Sequence, residues 1–407
     1  MGSKNRVKNG LPDSVNQALK EKLIKIYLTE NYDDIHDIFT SAAYLGCEDI
    51  IDNLIKKGVD INHNSYPDGT ALICAIDNHQ INTVKKLIRN GAKINYNSYD
   101  MTALKCAAYN GYNDIIELLI NEGADVNYIR EDNIGISQTA FMDAVEFEHL
   151  ETAKLLIDYN ADISYSDDNG INALIIAAKN GNGEIVELLV NYQTDIDKSD
   201  NKGKTPLYYS VVNDHYDTAQ FLIESGADID QFDCYGKSPI DKAAEIGNSR
   251  MIELLLKHDA DISLGCDECK STLHLAILND NLEAVKILIE SGADVNFLDE
   301  SFTTPLMEAA KIGNPDIIQI LIKKGADMNS LDIYGLNALM YAIEHDNEET
   351  KNLLLNYGAQ NMRKKGNFLN SYFYENPYFY ILKHNQCPML ILKEGGMLPK
   401  MKLNSVT

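Results

Sequence analysis

Residues 304–327 read TPLMEAAKIGNPDIIQILIKKGAD, and this stretch decides the fold because it recurs through the middle of the chain. It holds two short apolar segments joined by a turn, and neither segment can bury its own apolar side. A small residue marks the first segment of each copy, at positions 42, 75, 107, 144, 177, 210, 243, 276, 309 and 342. From Ala144 onward the spacing is 33 residues. A fixed period of this length predicts a stack of repeats rather than separate globular domains.

Each recurring residue of this stretch has a conformational reason. Thr304 opens the first helix, where its hydroxyl can accept a hydrogen bond from a backbone amide that has no helical partner. Pro305 suits the next position because the amide there is not needed by the helix. Gly325 ends the second helix, since a left-handed closing residue costs glycine little. We therefore predict helix–turn–helix units that bury their apolar sides only by stacking on one another.

Aligned copies give the pattern T-P/A-L-x-x-A-A-x-x-G-x-x-x-I-I-x-L-L-I-x-x-G-A-D-I-N, which is similar to the ankyrin repeat. The resemblance covers residues 35–362, about four-fifths of the chain, with about ten copies. It implies an all-α repeat solenoid of ankyrin helix-turn-helix units with β-hairpin fingers between them, and protein binding as the function. We expect residues 1–34 to form a tail and a capping helix. We expect residues 363–407 to form a basic capping region that contains a degenerate eleventh repeat.

Odd and even repeats differ in a systematic way. The residue that closes the first helix is Gly in the odd repeats, at Gly46, Gly111, Gly181, Gly247 and Gly313. The same slot of the even repeats holds His79, Glu148, Asp214, Asp280 and Asp346. One position of the second helix alternates in charge over the first five repeats, with Asp52, Lys85, Glu117, Lys154 and Glu187. We predict that these charges pair between stacked helices, at about 0.2–1 kcal/mol for each exposed pair.

The net charge of −25 is unevenly distributed. Residues 1–30 carry six Lys and Arg against three Asp and Glu, and residues 363–407 carry seven against two, so residues 31–362 hold −33. A field of this sign repels nucleic-acid phosphates and anionic lipid headgroups, and it favours a basic protein partner. The same charge would also serve solubility, so the charge alone does not identify a partner.

Cysteine usage and hydropathy bear on the cellular location. The seven cysteines are scattered and odd in number, which is typical of reduced thiols in the cytosol. No apolar run approaches the roughly 18 residues of a membrane span, and the start of the chain lacks the apolar core of a signal peptide. We therefore expect a cytoplasmic protein with no membrane or nucleic-acid partner. No motif indicates a cofactor or a small-molecule substrate.

Cys266 and Cys269 form a C-x-x-C motif, which is the one candidate for metal or redox chemistry. His258 and His274 are near in sequence and could complete a zinc set. The spacing matches no known zinc finger, and the resemblance gives His274 a structural role in its first helix. The simpler interpretation is a surface turn with two free thiols. Since no nucleophile, base and orienting group occur at a catalytic spacing, we predict that the protein is not an enzyme.

The resemblance places a partner on the concave face made by the first helices and the hairpin tips. The candidate residues on the first helices are Tyr44, Tyr109, Phe147, Lys179, Ile246, Leu278 and Ile312. The candidates at the tips are the aromatic residues Tyr66, Tyr99, Tyr235, Phe302 and Tyr334, with the acids Asp168, Glu268 and Glu300. The finger between repeats three and four has four extra residues, and we expect Arg130, Glu131 and Asp132 of this finger to contact the partner. Tyrosine is enriched at the energetic centres of interfaces, which favours this surface.

Several roles remain open from the sequence. The chain can be an adaptor or effector that binds a basic protein, or an antitoxin-like inhibitor that shields a basic toxin or nuclease. The charge of the repeats favours the inhibitor slightly, because an acidic face can mimic nucleic acid. A spacer without a partner and an enzyme or metal-binding protein are the remaining alternatives.

Overall fold

The computed structural model describes residues 13–29, 34–65, 67, 69–129, 138–263 and 270–361. Within these residues the chain forms one lone helix followed by ten helix pairs. It divides into two compact units, which are residues 1–267 with 290–293, and residues 268–289 with 294–407. None of the described helices combines the length and the apolar content that a bilayer crossing needs.

The first unit contains the lone helix and seven pairs. Its helices are α1 (Asp13–Leu28), α2 (Ile35–Leu45), α3 (Glu48–Lys56), α4 (Ala71–Asp77), α5 (Ile81–Arg89), α6 (Ala103–Asn110), α7 (Asn113–Asn121), α8 (Ala140–Glu146), α9 (Leu150–Asp158), α10 (Ala173–Asn180), α11 (Gly183–Asn191), α12 (Pro206–Val212), α13 (Tyr216–Glu224), α14 (Pro239–Ile246) and α15 (Ser249–Lys257).

The second unit contains three pairs. Its helices are α16 (Thr272–Leu278), α17 (Leu282–Glu290), α18 (Pro305–Ile312), α19 (Pro315–Lys323), α20 (Ala338–Glu344) and α21 (Glu348–Asn356). Regular strands are absent from the described residues of both units. The expected β-hairpin fingers are tight turns, three of which contain an isolated bridge, at Ser65–Gly69, Ser98–Met101 and Ser166–Asn172.

The first helices begin where the sequence predicts. The hydroxyl of Thr205 accepts from the amide of Tyr208 at 3.1 Å, and that of Thr304 accepts from the amide of Met307 at 3.2 Å. Proline follows the capping residue in α12, α14 and α18. Each cap satisfies an amide that the helix leaves open, and replacing such a cap typically costs about 1 kcal/mol.

The core of each unit lies between the paired helices and their neighbours. In the first unit consecutive first helices pack together from α2 to α14, and their alanine pairs, such as Ala177 and Ala178, are fully buried. The second helices contribute fully buried side chains such as Ile185, Val186 and Leu189 of α11. The second unit repeats this arrangement with α16, α18 and α20, where Ala309 and Ala310 are fully buried. The predicted all-α stack is confirmed.

The residue that closes each first helix is left-handed in odd and even repeats alike. Glycine supplies this conformation in the odd repeats, for example Gly181 at φ +75°. The even repeats use non-glycine residues, for example Asp214 at φ +59° and Asp280 at φ +55°. Such residues are strained in this region, although Asp tolerates it better than most. The alternation therefore needs a cause other than the backbone turn itself.

Contacts between neighbouring repeats supply that cause where an odd repeat meets the following even one. Nε2 of His215 donates to the carbonyl of Lys179 at 2.9 Å, and Nε2 of His149 donates to the carbonyl of Tyr109 at 3.0 Å. The imidazole then lies directly over the closing glycine. A Cβ atom on Gly181 would be 2.4 Å from Nδ1 of His215. No side chain fits at the closing position of such a junction.

The opposite junction, from an even repeat to an odd one, uses the closing side chain instead. Asp214 accepts from Nδ2 of Asn248 at 2.6 Å, and Asp280 accepts from Nδ2 of Asn314 at 2.6 Å. His79 contacts Asp114 at 2.9 Å in the equivalent place. The two-repeat period thus alternates between a backbone acceptor beside glycine and a side-chain acceptor.

The predicted charge pairing along the second helices is wrong by one position at the first junction. Lys86, not Lys85, contacts Asp52 at 2.8 Å, and it also contacts Glu48 at 3.2 Å. Lys154 contacts Glu151 of its own helix at 2.8 Å. At this junction α3 and α5 therefore pair acid to base in a register that the alternating slot does not describe, whereas Lys154, Lys286 and Lys351 each contact a glutamate of their own helix.

A ladder of asparagines joins the turns that follow the second helices. Asn127 donates from Nδ2 to the carbonyl of Asn160 at 3.0 Å and accepts from the amide of Asp162 at 2.7 Å. The other asparagines that make both bonds are Asn62, Asn95 and Asn296. Each pair of bonds fixes the spacing of two consecutive repeats.

Two rungs of this ladder are aspartates. Asp197 accepts from the amide of Asp228, and Asp230 accepts from the amide of Asp261, both at 2.9 Å. An ionised carboxylate has no hydrogen for the second bond. Burial raises the pKa of both carboxyls; the amide bonds oppose this, and the charges of neighbouring aspartates add to it. At neutral pH the two junctions between repeats five, six and seven are therefore weaker than they would be with asparagine at these positions.

We expect Gly181→Ala to destabilise the first unit more than Gly226→Ala. A Cβ at Gly226, φ +93°, meets nothing within 4 Å, so that variant has only the backbone strain of roughly 1–2 kcal/mol. Gly181→Ala also displaces His215 and loses its hydrogen bond, which adds about 1 kcal/mol or more. Hydrogen exchange of α10 to α13, measured by mass spectrometry, reports the difference. Equal protection in the two variants would contradict the role of the closing glycine.

We expect the double change Asp197→Asn and Asp230→Asn to stabilise the first unit at pH 7, by about 0.5–1.5 kcal/mol per added hydrogen bond. Because the folded-state pKa values are raised, the wild type loses stability as pH rises above the unfolded value of about 3.9 through the raised values. The gain should therefore shrink as pH is lowered through this window. Urea unfolding at several pH values measures it. Glu187→Gln is the control, because it removes a charge at an exposed position of α11 without adding a hydrogen bond between repeats. An equal gain of stability in this control would refute the explanation.

Candidate partner-binding surface

The finger turns are held from beneath by buried aspartates. Oδ1 of Asp233 accepts from the amides of Tyr235 at 2.8 Å and Lys237 at 3.0 Å. Oδ1 of Asp332 accepts from the amides of Tyr334 at 2.9 Å and Leu336 at 2.8 Å. The same two bonds occur at Asp167, Asp200 and Asp299. Each aspartate fixes the turn and pushes the next residues outward to its tip.

Hydrogen bonds also join consecutive fingers within each unit. In the first unit the amide of Asn201 donates to the carbonyl of Asn169 at 2.9 Å, and the amide of Cys234 donates to that of Lys202 at 2.7 Å. In the second unit the amide of Ile333 donates to the carbonyl of Ser301 at 3.1 Å. The tips therefore form short rigid rows, and a partner would not have to order them on binding.

The predicted tip residues among the described residues lie at the finger turns of the two units. Tyr99 and Tyr235 of the first unit are 56% and 52% exposed and Tyr334 of the second is 73% exposed, although large aromatic side chains are usually much more buried. Asp168 and Glu300 are exposed on their own fingers, and Phe302 is half-buried. Within each unit the exposed tyrosines are the residues that most resemble part of an interface.

The predicted residues of the first helices fall into two groups. Lys179, Ile246 and Leu278 are exposed, and Ile312 is half-buried. Tyr44, Tyr109 and Phe147 are half-buried because each packs on another part of the chain. The rings of Tyr109 and Phe147 lie 4.0 Å apart between repeats three and four, and Tyr44 lines a cavity beside α1.

Several predicted contacts lie outside the described residues. They are Tyr66, Arg130, Glu131, Asp132 and Glu268, together with Cys266, Cys269 and the degenerate eleventh repeat.

Tyr99 lies on a turn that is supported by a buried lysine. Tyr99 and Asp100 are both left-handed, at φ +50° and +71°. Nζ of Lys105 donates to the carbonyl of Asp100 at 2.8 Å and lies 4.0 Å from Oδ2 of Asp143. That oxygen accepts no hydrogen bond from the described residues. Burial raises the pKa of Asp143 to about 7; Lys105 opposes this, while Glu146 and Asp100 add to it.

The aspartates that hold the finger turns are not among the predicted site residues. Asp167, Asp200, Asp233 and Asp332 are buried, Asp299 is half-buried, and all five recur at multiples of 33, so the periodicity contains a signal for them. The prediction assigns function to an exposed acid of a finger, whereas a less exposed aspartate beneath it forms the turn.

Much of the negative charge has a structural use at the base of the repeats. Asp125, Asp162, Asp228 and Asp327 each accept a hydrogen bond from the amide two residues later. Aspartate is favoured in such turns for this reason. Turn formation therefore accounts for the presence of these exposed acids without a partner, although each still contributes its charge.

Two groups of side chains contain histidines that bear on metal or catalytic chemistry, and the first is centred on His274. Nδ1 of His274 lies 2.9 Å from the hydroxyl of Ser271, and Nε2 donates to the carbonyl of Thr303 at 3.1 Å, so both nitrogens are engaged. His274 is fully buried and burial lowers its pKa, which keeps it neutral. It has the structural role expected for it and cannot complete a zinc set with Cys266 and Cys269.

Among the described residues the other candidate is the group of Asp34, His36 and His63. The two imidazoles are stacked, with centroids 3.8 Å apart and planes 24° apart. Two imidazoles bound to one zinc ion through bonds of about 2.0–2.1 Å would have their centroids about 4.5 Å or more apart. The rings are stacked rather than spread around one ion, and Asp34 caps α2 through the amide of His36 at 2.8 Å and lies 3.0 Å from Nδ1 of the same residue.

Comparison with known families agrees with the repeat architecture. A family model described as ankyrin repeats, in three copies, matches residues 39–130, 141–233, 231–299 and 273–365. These matches cover well over half of the chain and follow the helix pairs of both units. A search of curated proteins found no match.

We expect Asp143→Asn to remove a pH dependence of the stability of repeats three and four. The folded pKa of about 7 lies above the unfolded value of about 3.9, so the wild type is most stable at low pH and loses stability as pH rises to about 7. At about 1.4 kcal/mol per unit the loss amounts to roughly 4 kcal/mol over the whole window, of which roughly 3 kcal/mol falls above pH 5. Hydrogen exchange of α6 and α8 between pH 5 and pH 8 measures it. The same slope in wild type and variant would contradict the assignment.

Proposed function

The chain belongs to the ankyrin repeat family, and from this premise we propose that it is a protein-binding scaffold whose partner is a basic protein. Ankyrin repeats generally serve as interaction scaffolds without catalytic activity. The arrangement of the finger tips supports the same role here. The scattered thiols favour a reducing compartment, such as the cytoplasm, as its place of action.

The exposed finger tyrosines carry this proposal. Tyr235 and Tyr334 lie on turns that buried aspartates fix, so a partner can use their large faces without an ordering cost. An exposed aromatic residue on a rigid support is a common centre of binding energy. The exposed finger acids Asp168 and Glu300 would favour Lys and Arg on the partner.

Some acids near the fingers are already paired with lysines of the same chain, which limits where a basic partner would bind. Lys237 and Lys242 both contact Glu245, at 2.9 and 3.0 Å, so this acid is already paired. Burial tends to raise the pKa of Glu245, but the two lysines outweigh it and lower the pKa. We expect the partner's basic groups to meet the fingers whose acids are exposed, such as Asp168 and Glu300.

An adaptor and an inhibitor of a basic toxin or nuclease differ in their kinetics. An inhibitor needs very tight binding, with an association rate that falls steeply as salt increases. An adaptor works with moderate affinity. We favour the adaptor or effector, because turn formation accounts for many of these acids without any need for nucleic-acid mimicry.

We expect the double variant Tyr235→Ser and Tyr334→Ser to bind its partner at least tenfold more weakly than the wild type, as loss of two interface centres would require. Immobilised wild type and variant are compared on an extract of the producing cells, with quantitative mass spectrometry at low and high salt. Tyr192→Ser is the matched control, because Tyr192 is 49% exposed but follows α11, a second helix. Equal retention of every protein by wild type and double variant would sink the proposal, as would retention of acidic proteins alone.

A further inference from the structure

The lone helix α1 lies against the first helices of repeats one and two. Its Leu23 is buried at 7% exposure. Asn16 accepts from Nδ2 of Asn78, the residue after α4, at 3.4 Å, and the ammonium of Lys57 lies 5.4 Å from the ring centre of Tyr27. The helix thus covers Tyr44, a residue that the repeat pattern would otherwise offer to a partner.

The first helices α2 and α4 form a groove that holds α1, and the fit between α1 and this groove is poor. Among residues 15–28, Leu23 alone is fully buried, and the apolar residues left exposed are Val15, Leu19, Ile24 and Leu28. A cavity of about 470 Å³ remains between α1 and the repeats. Leu19, Leu23 and Ile26 line it from α1, and Tyr44, Ile73 and Cys74 line it from α2 and α4.

The energy that holds α1 in place is small. One buried leucine contributes little hydrophobic stabilisation, and a helix of 16 residues is marginal by itself in water. A helix held this weakly has an open state that is populated often enough to be selected by a ligand. The groove is therefore accessible to a better occupant.

We propose that the groove between α2 and α4 is a docking site for an amphipathic, lysine-bearing helix of the partner, and that α1 is the chain's own displaceable occupant of it. This inference rests on the proposed function and names the element of the partner that is recognised. The groove already receives a helix whose apolar residues are spaced at i, i+4 and i+7, which is how helices bind in grooves.

Charge and volume define the helix that fits better than α1. Asp77 and Lys22 line the same cavity, and Lys20 and Lys25 are on the same helix as Lys22, so the acidic repeats already accept a basic segment. A partner helix with a larger apolar residue at the position of Leu19 would fill the cavity. It must also outcompete a tethered segment, whose effective concentration is in the millimolar range.

The test uses the full chain and a fluorescein-labelled peptide of residues 13–29 as the probe, followed by fluorescence anisotropy. Leu23→Asp should release the chain's own α1, so that this variant binds the peptide at least tenfold more tightly than the wild type. Leu28→Asp is the matched control, because it puts the same charge on the same helix at a residue that is 73% exposed, and it should bind as the wild type does. Adding Ser41→Arg to Leu23→Asp places a bulky cation in the groove at an exposed position and should abolish binding.

A second peptide, with Leu19→Phe, tests the cavity in the wild-type protein and does not depend on a variant that must fold. It should bind the wild type more tightly than the unmodified peptide does. Hydrogen exchange should show α1 unprotected and α2 to α5 unchanged in Leu23→Asp. The proposal is overturned if Leu23→Asp and wild type bind the probe equally, or not at all, or if both peptides bind alike. Because the probe comes from this chain, such a failure leaves the test with the finger tyrosines unaffected.

Discussion

The burial of each short helix pair against its neighbours is the interaction on which the rest of this protein depends. The second helices from α3 to α21 are nine residues long, well below the length at which a helix is stable alone in water. Fully buried alanines such as Ala177 and Ala178 let first helices approach closely, and branched residues such as Ile185 fill the space behind them. Because each pair is stabilised by the next, a change at one junction affects its two neighbours directly and distant repeats only weakly.

The polar contacts at the junctions decide which repeat can follow which. A closing glycine requires a following residue such as His215, which reaches a backbone carbonyl over it, and a closing Asp214 requires an asparagine such as Asn248. If odd and even repeats were exchanged, a closing side chain would clash with an imidazole such as that of His215. A closing acid such as Asp214 would lose the asparagine that donates to it. The two-repeat period is thus maintained by complementarity between successive surfaces. The aspartate rungs at Asp197 and Asp230 show that the ladder tolerates a weaker bond when the core beneath it is intact.

Local features of this fold could be predicted from the sequence, and features that depend on the offset between helices could not. Caps such as Thr304 and closing glycines such as Gly181 depend on a few adjacent residues, and both are where the pattern placed them. The partner of Asp52 is Lys86 instead of Lys85 because the stacking offset of α3 and α5 sets the register, which the sequence of either helix does not contain. The amphipathic pattern of α1 correctly indicated a helix. It could not reveal that the helix would cover Tyr44, since periodicity shows that an apolar side exists and not what covers it.

The same distinction explains why the finger tyrosines and the α1 groove differ in character. A finger tip is formed within one turn by an aspartate such as Asp332, so its tyrosine is exposed and rigid whether or not a partner is present. The groove is formed between two repeats, and its present occupant leaves about 470 Å³ unfilled. A partner that contacts both would gain specificity from the rigid tips, where misplaced contacts cannot be relieved, and affinity from the groove, where poorly buried apolar surface can be replaced by a closer fit. Displacing α1 first lowers the apparent affinity by the fraction of open molecules, so binding at the tips, which needs no opening, would precede binding in the groove.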